Sequence, residues 1–498
     1  MKRLQKTLLL LLPALLLLPV LAACERPQPD VEVVVTPVSL PTALQERSLP
    51  TYAGTPTPDP PREREGATSD ALQVHVVVAG ETLAQLALQY GTTVEELMAV
   101  NGLSNSDLLY VGQTLSVPAT ARTVSPNFKI IPDSELVYGP AARDVDVRAL
   151  ASYYNAYLLN HEEMVEGQAV AGPEIVQLVA DRYSVNPRLL LAALEYRSGW
   201  LTEAAPAATE YPMGKVQDGL EGLYKQLGWA ADRLNLGYYG RAEGGVSSFV
   251  VGDTQVAYAP ELNDGTAGVQ YWLGAHTDAT YQRWLEETGP GGFFAAYSRL
   301  FGNPFAYTVD PLWPDDLEQP PLTLPWASGE TWYFTGGPHG GWAPSSAWAA
   351  LDFVPHHQQL GCYPSDAWTR SMAPGVVTRS DFGAVVVDLD GDGYAGTGWA
   401  IVYMHLESRD RIAAGTRVET GDPLGHPSCE GGYSNGTHVH IARTYNGRWV
   451  SADGAIPFNM DGWESRGMGS EYNGLLVRGD EVREACACRN ERNALRAD

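Results

Sequence analysis

The segment His438-Val439-His440 constrains this chain more than any other. Side chains two residues apart share a face only when the backbone is extended, so this pair reads as part of a β-strand with both imidazoles aimed at one point. Asn435-Gly436-Thr437 before it reads as a tight turn, and Ile441-Ala442-Arg443 continues the strand. A second β-like run, Ala400-Ile401-Val402-Tyr403-Met404-His405-Leu406, carries another histidine. Seven of the ten histidines lie between His339 and His440, which concentrates the chemistry there. Around them, from about Leu322 to Trp463, short apolar runs alternate with Gly-rich turns, a pattern that favours antiparallel β structure.

Two histidines and a carboxylate are a common ligand set for catalytic zinc, with a fourth position left for water. Bound zinc brings that water to a pKa of about 7 and polarises a carbonyl, and unligated histidines nearby can move protons. The reaction this implies is hydrolysis of an amide. Five blocks occur in order over about a hundred residues: Ala349-Ala350-Leu351-Asp352-Phe353, Ala373-Pro374-Gly375-Val376-Val377, Tyr403-Met404-His405-Leu406, Gly421-Asp422-Pro423-Leu424-Gly425 and Gly436-Thr437-His438-Val439-His440. Together they resemble the lysostaphin-type (LytM-like) zinc endopeptidases, which cut peptide bridges of bacterial peptidoglycan. The resemblance implies one zinc held by His339, Asp352 and His440, with His405 and His438 as the catalytic pair. One departure stands out. The family spaces its first His and Asp four apart, but position 348 is Trp and the nearest upstream histidine, His339, is thirteen residues away. An inserted loop must then return the chain, and His356 and His357 are the rival ligands.

The amino terminus points outside the cytoplasm. Lys2, Arg3 and Lys6 precede an apolar run from Leu8 to Val20, too short to span a bilayer comfortably and suited to a secretory signal. Leu21-Ala22-Ala23-Cys24 looks like a bacterial lipobox, which predicts lipidation of Cys24 and membrane anchorage. The remaining Cys362, Cys429, Cys486 and Cys488 are even in number, as expected of disulfides in an exported protein, with three connectivities open. Cys362 with Cys429 is preferred because both flank the histidine site. A formal net charge of −26 over 498 residues argues against nucleic acid as a partner and against charge-driven attachment to anionic wall polymers.

Further along, a proline-rich tether could reach up to roughly 150 Å if fully extended. Residues 75–118 then read as strand, helix, helix, strand. Val-x-x-Gly-Glu-Thr-Leu, Tyr90-Gly91, Asn101-Gly102-Leu103 and Val111-Gly112-Gln113 resemble the LysM module, which binds N-acetylglucosamine chains such as peptidoglycan. By that resemblance the sugar lies near Gly80, Glu81, Thr82, Leu83, Asn105 and Leu108. Beyond a linker, the chain reads as mostly helical. Asn186 caps a helix that starts at Pro187, a good first position for a residue without an N–H. This region faintly resembles lysozyme-like lytic transglycosylases, but Arg197 precedes Ser198 where they place a catalytic glutamate. Arginine stays protonated and cannot serve as the acid. Glu195 is about 200° around the helix from that face, so the region is read as non-catalytic. Asp388 to Gly393 resembles the start of a calcium loop, yet Trp399 stands where the motif needs glutamate, and a hairpin turn is the better reading.

The expected fold class is multidomain α+β: a small βααβ LysM module, a mostly helical lysozyme-like middle domain and an antiparallel β-rich metallopeptidase domain. The expected boundaries are signal 1–23, tether 24–72, LysM 73–119, linker 120–143, helical domain 144–315, peptidase domain 322–465 and a tail 466–498 that packs partly and then frays. The expected function is zinc-dependent hydrolysis of peptidoglycan cross-bridges by a lipid-anchored, glycan-binding envelope protein. The alternative is an inactive wall-binding scaffold or an activator of other hydrolases.

Overall fold

The computed structural model describes residues 72–498, apart from 78–80, 91–93, 104, 107–108, 111, 119–122 and 244. The signal, Cys24 and the tether, together with Gly80 and Leu108, lie outside the described residues.

Strands β1 (Leu72–Val76) and β2 (Thr114–Pro118) pair antiparallel and flank α1 (Leu83–Tyr90) and α2 (Val94–Val100). Leu83, Leu86, Leu97, Leu115 and Val117 make their small core. The Asn101 amide ties α2 to β2, donating to the Leu97 and Ser116 carbonyls while accepting from the Ser116 N–H. Asn105 and Thr82 are exposed, and Glu81 is bonded to His75 at 2.8 Å. Leu83 is a correction: at 1% exposure its side chain belongs to the core and is not available to a sugar.

The helical domain is built on α3 (Gly172–Tyr183), α4 (Pro187–Ser198), α5 (Leu223–Ala242), α6 (Asp264–Gly274) and α7 (Phe293–Phe301). α4 begins where the sequence says it should: the Asn186 side chain accepts from the Arg188 N–H at 2.9 Å, and Pro187 follows. Gly199, at φ 70°, ends it in the left-handed conformation that costs glycine little. The span expected to be a linker is largely part of this domain. Thr123–Val124 pairs with Thr254–Ala257, and Ile130, Ile131, Leu136 and Val137 are fully buried, because those apolar doublets have a helical core to enter. Among the described residues no helix is long and apolar enough to cross a membrane.

The third region is an antiparallel sheet of β3 (Thr331–His339), β4 (Ala350–Pro355), β5 (Gly375–Asp381), β6 (Ala384–Asp388), β7 (Trp399–Met404), β8 (Arg417–Val418), β9 (Val439–Tyr445) and, further on, β14 (Ala494–Arg496). Its order is β8-β5-β6-β7-β9-β4-β3-β14. Residues 466–498 are a second correction. β10 (Asn459–Met460), β11 (Trp463–Gly467), β12 (Gly474–Arg478) and β13 (Glu481–Glu484) form a four-stranded sheet, and β14 then covers the free edge of β3. An unpaired strand edge exposes a row of backbone donors and acceptors, and pairing with β14 removes that exposure.

The main sheet is buried on both faces. Leu351, Phe353, Val385, Val387, Ile401, Tyr403 and Ile441 alternate onto one face and form that domain's own core. Ala350, Ala384, Val386, Ala400, Val402 and Ala442 point the other way and join the core of the helical domain. Four alanines on that face let the helices approach closely.

Candidate metal centre

Strand register assembles the site. β9 sets His440 directly opposite Asp352 of β4, on the same sheet face as Ala442 and Ala350. β3 pairs with β4 so that Gly336 faces Asp352 and His339 faces Ala350, with register shifts on both sides of Gly336 that re-aim His339. The thirteen-residue spacing is thus a hairpin with a long tip, and its two arms meet at the site. Glycine is required at 336: a Cβ there would lie 2.5 Å from Asp352 Oδ2. His438 shares the face of His440 by strand alternation. His405 gets there differently. It follows Met404 at the end of β7 with φ 63°, and this left-handed turn places its ring 4.4 Å from that of His438.

Each imidazole has one nitrogen committed to a backbone carbonyl. His339 Nδ1 donates to Gly337 O at 2.8 Å, and His440 Nε2 to Gly341 O at 3.0 Å. His405 Nδ1 donates to Glu430 O at 2.9 Å, and His438 Nδ1 to Gly436 O at 2.7 Å. The free nitrogens are therefore His339 Nε2, His440 Nδ1, and the Nε2 atoms of His405 and His438. His339 Nε2 and His440 Nδ1 lie 3.0 Å apart, and Asp352 Oδ1 is 3.3 and 3.2 Å from them. His438 Nε2 stands 3.7 Å from the same oxygen. Oδ1 is buried and makes no hydrogen bond.

Three lone-pair donors converging without protons between them repel one another unless a cation accepts all three. Atoms about 2.0–2.2 Å from one tetrahedral zinc sit roughly 3.3 Å apart, close to the separations here. The donor set fits a metal of the zinc kind.

Burial and the Asp352 carboxylate set the electrostatics of the site. Burial pushes the Asp352 carboxyl up, but the His339 and His438 rings beside it outweigh that and hold it well below the usual range. Burial lowers His440, and it lowers His405 well below the ordinary imidazole value, with His438 and His440 adding to the effect. For His339, burial is outweighed by Asp352 and the value rises. His356 and His357, the rival ligands, are exposed; their rings lie 3.7 Å apart, tilted by 45°, and His356 bonds Tyr333 at 2.6 Å.

Cys362 and Cys429 are joined by a disulfide across the loops that precede His438, and Cys486 is bonded to Cys488. Thr437 N–H donates to Gly361 O at 3.0 Å, so those loops form one braced wall beside the histidines. Sequence reasoning missed Tyr472, whose ring stacks on His339 at 4.2 Å. No local pattern around it signalled this. Glu195, by contrast, accepts from Leu201 N–H, Thr202 N–H and the Thr202 hydroxyl, all within its own helix end.

A family model described as the LysM domain matches residues 75–118, and one described as LasA, N-terminal domain, matches 129–314. Protease LasA of Pseudomonas aeruginosa is 25% identical over 291 residues, 55% of this chain and 66% of its own length. The chain thus spans just under two thirds of that relative. Probable endopeptidase p60 of Listeria monocytogenes is 36% identical over 81 residues, 16% of each chain. Among solved structures, the M23 metalloprotease pseudoalterin from the deep sea is 26% identical, covering 34% of this chain and 96% of its own, at a TM-score of 0.28. Residues 75–118 are thus similar to the LysM domain and residues 129–314 to the LasA N-terminal domain, ahead of the sheet domain that brings His339, Asp352 and His440 together.

Proposed function

We propose that the chain is a zinc endopeptidase that hydrolyses peptide cross-bridges of peptidoglycan. The observation that carries this reading is the meeting of His339 Nε2, His440 Nδ1 and Asp352 Oδ1 within 3.0–3.3 Å, each imidazole having its other nitrogen tied to a carbonyl. These three residues would hold the ion. When bound, zinc supplies a water that ionises near neutral pH and a Lewis acid for the scissile carbonyl.

The chain's own residues do the rest. Carbonyls of Gly337 and Gly341 fix the tautomers of the two ligand histidines, which keeps their lone pairs on target. His405 and His438, anchored through Nδ1, keep Nε2 free to take a proton from the nucleophile and to give one to the leaving amine. The LysM domain would hold glycan and raise the local concentration of cross-bridges at the site. Lipid on Cys24 would keep the protein at the outer side of its own membrane.

Metal content of the purified protein, with wall digestion by wild type and His440→Ala, tests this. Stoichiometric zinc and digestion lost only in the variant are expected. A metal-free protein inert in both forms would support the scaffold reading instead.

A further inference from the structure

The tip that closes the long hairpin, residues 340–349, contains no helix or strand of its own before residue 350. Its internal bonds are short-range: Gly341 N–H to Ala347 O at 3.1 Å, Ala349 N–H to Ala347 O at 2.7 Å, Trp342 N–H to Ser346 Oγ at 3.4 Å, and Ser346 to Ala343 O through both N–H and Oγ and to Ala347 O through Oγ. Yet this tip supplies the Gly341 carbonyl that fixes the His440 tautomer. The sheet domain holds it through Ala452 N–H to Trp348 O at 2.7 Å and the Trp449 ring against Gly341, and the helical domain holds it at Trp342 and Ser345. Arg182, on the last turn of α3 and fully buried, lays its guanidinium over the Trp342 ring at 4.7 Å. The same guanidinium bonds Glu166 at 2.7 Å and the Tyr224 hydroxyl, so it is itself held from the helical side. Asp232 on α5 accepts from Ser345 through Oγ at 2.9 Å and N–H at 3.3 Å.

We propose that Arg182 is a positioning residue for the metal centre, acting through Trp342 and the Gly341 carbonyl on the orientation of His440. The proposal rests on the metal reading above. A desolvated cation over the face of a tryptophan is a strong, directional contact, and Trp342 is the immediate neighbour of Gly341. Moving the ring moves the carbonyl, and the imidazole then loses the acceptor that keeps Nδ1 turned inward. Losing a ligand's own hydrogen-bond partner, here the Gly341 carbonyl, typically changes metal affinity by about 10–100-fold, which bounds what Arg182 can do through it. The helical domain, on this view, is part of the metal site and not a spacer.

The test uses the full chain. Zinc affinity is measured by competition with a chelator for wild type, Arg182→Met, Arg182→Lys and Trp342→Leu, and the melting temperature of each metal-free form is recorded beside it. Arg182→Met and Trp342→Leu are each expected to weaken zinc about tenfold. Combined, they should weaken it no more than the stronger single change, because they act along one path. Arg182→Lys should recover part of the affinity, keeping charge but not the flat stacking group. Folded variants that bind zinc as wild type does, whatever their melting temperature, overturn the proposal while leaving the peptidase reading intact. If Arg182→Met does not fold, Trp342→Leu on the partly exposed tip decides alone. A wild type that binds no zinc overturns both.

Discussion

The helical domain and the sheet domain each place carboxylates away from water, and Asp352 of the sheet is treated unlike Glu135, Glu287 and Glu195 of the helices. In the helical domain three carboxylates are answered from within. Glu135 is gripped by Arg188 through two bonds of 2.8 Å, Glu287 receives Arg197 and Arg283, and Glu195 takes three donors from its own helix end. In the sheet domain Asp352 Oδ1 faces imidazole nitrogens that carry lone pairs, and it stays without a hydrogen bond. A satisfied cluster is a structural device; converging donors with nothing to donate to are a binding site. The comparison also explains why the region with a faint enzyme-like pattern is read as structural while the histidine region is read as catalytic.

The sharpest way to break the contrast is at the ligands. Replacing His440 with Ala should lower zinc affinity more than about 100-fold and abolish wall digestion, measured by chelator competition and turbidity loss. If the variant keeps its zinc, the convergence of donors means nothing. Next in size is His438→Ala, which should keep its metal while turnover falls roughly 10²–10⁴-fold. Equal loss of metal and rate would instead place His438 among the ligands.

At the boundary between the two domains, Asp181 faces Arg379 and Asp381 of the sheet, and burial raises its carboxyl from 3.8 to about 6. A carboxyl raised on folding contributes stability that is whole below its unfolded value and is lost as pH climbs through the folded one. Asp181→Asn should therefore gain in melting temperature over wild type as pH rises from 4 to 7, with the gap closing at pH 4. A gap constant with pH would mean that Asp181 is not desolvated. The smallest effect is expected on the helical side: Glu195→Gln should leave wall digestion unchanged and cost about 1 kcal/mol of stability in denaturant titration. Loss of glycan-cleaving activity in that variant would overturn the reading of this domain.

Much of the site was legible because its signals are local. Alternation put His438 and His440 on one face, and Asn186-Pro187 marked a helix start at the residue where it occurs. Other parts were not legible, for a common reason. Tyr472 meets His339 only because β12 and its preceding loop return to β3, with Gly337 N–H donating to Tyr472 O at 2.8 Å. Residues 466–498 looked like a fraying tail because their strands are short and partly polar; what holds them is pairing with one another and with β3. Residues 120–143 looked like a linker because two apolar doublets are too little to announce a core, though enough to fill one.

Local residue order sets the periodicities: extended backbone through the histidine pair, helical stripes in the middle region, and the turn chemistry between them. These follow from the local geometry of the chain. Which atoms meet is a matter of long-range packing. The register of β3 against β4, the left-handed turn at His405 and the carbonyls that choose each tautomer depend on residues far apart in the chain, and side-chain convergence across strands is a property of their pairing.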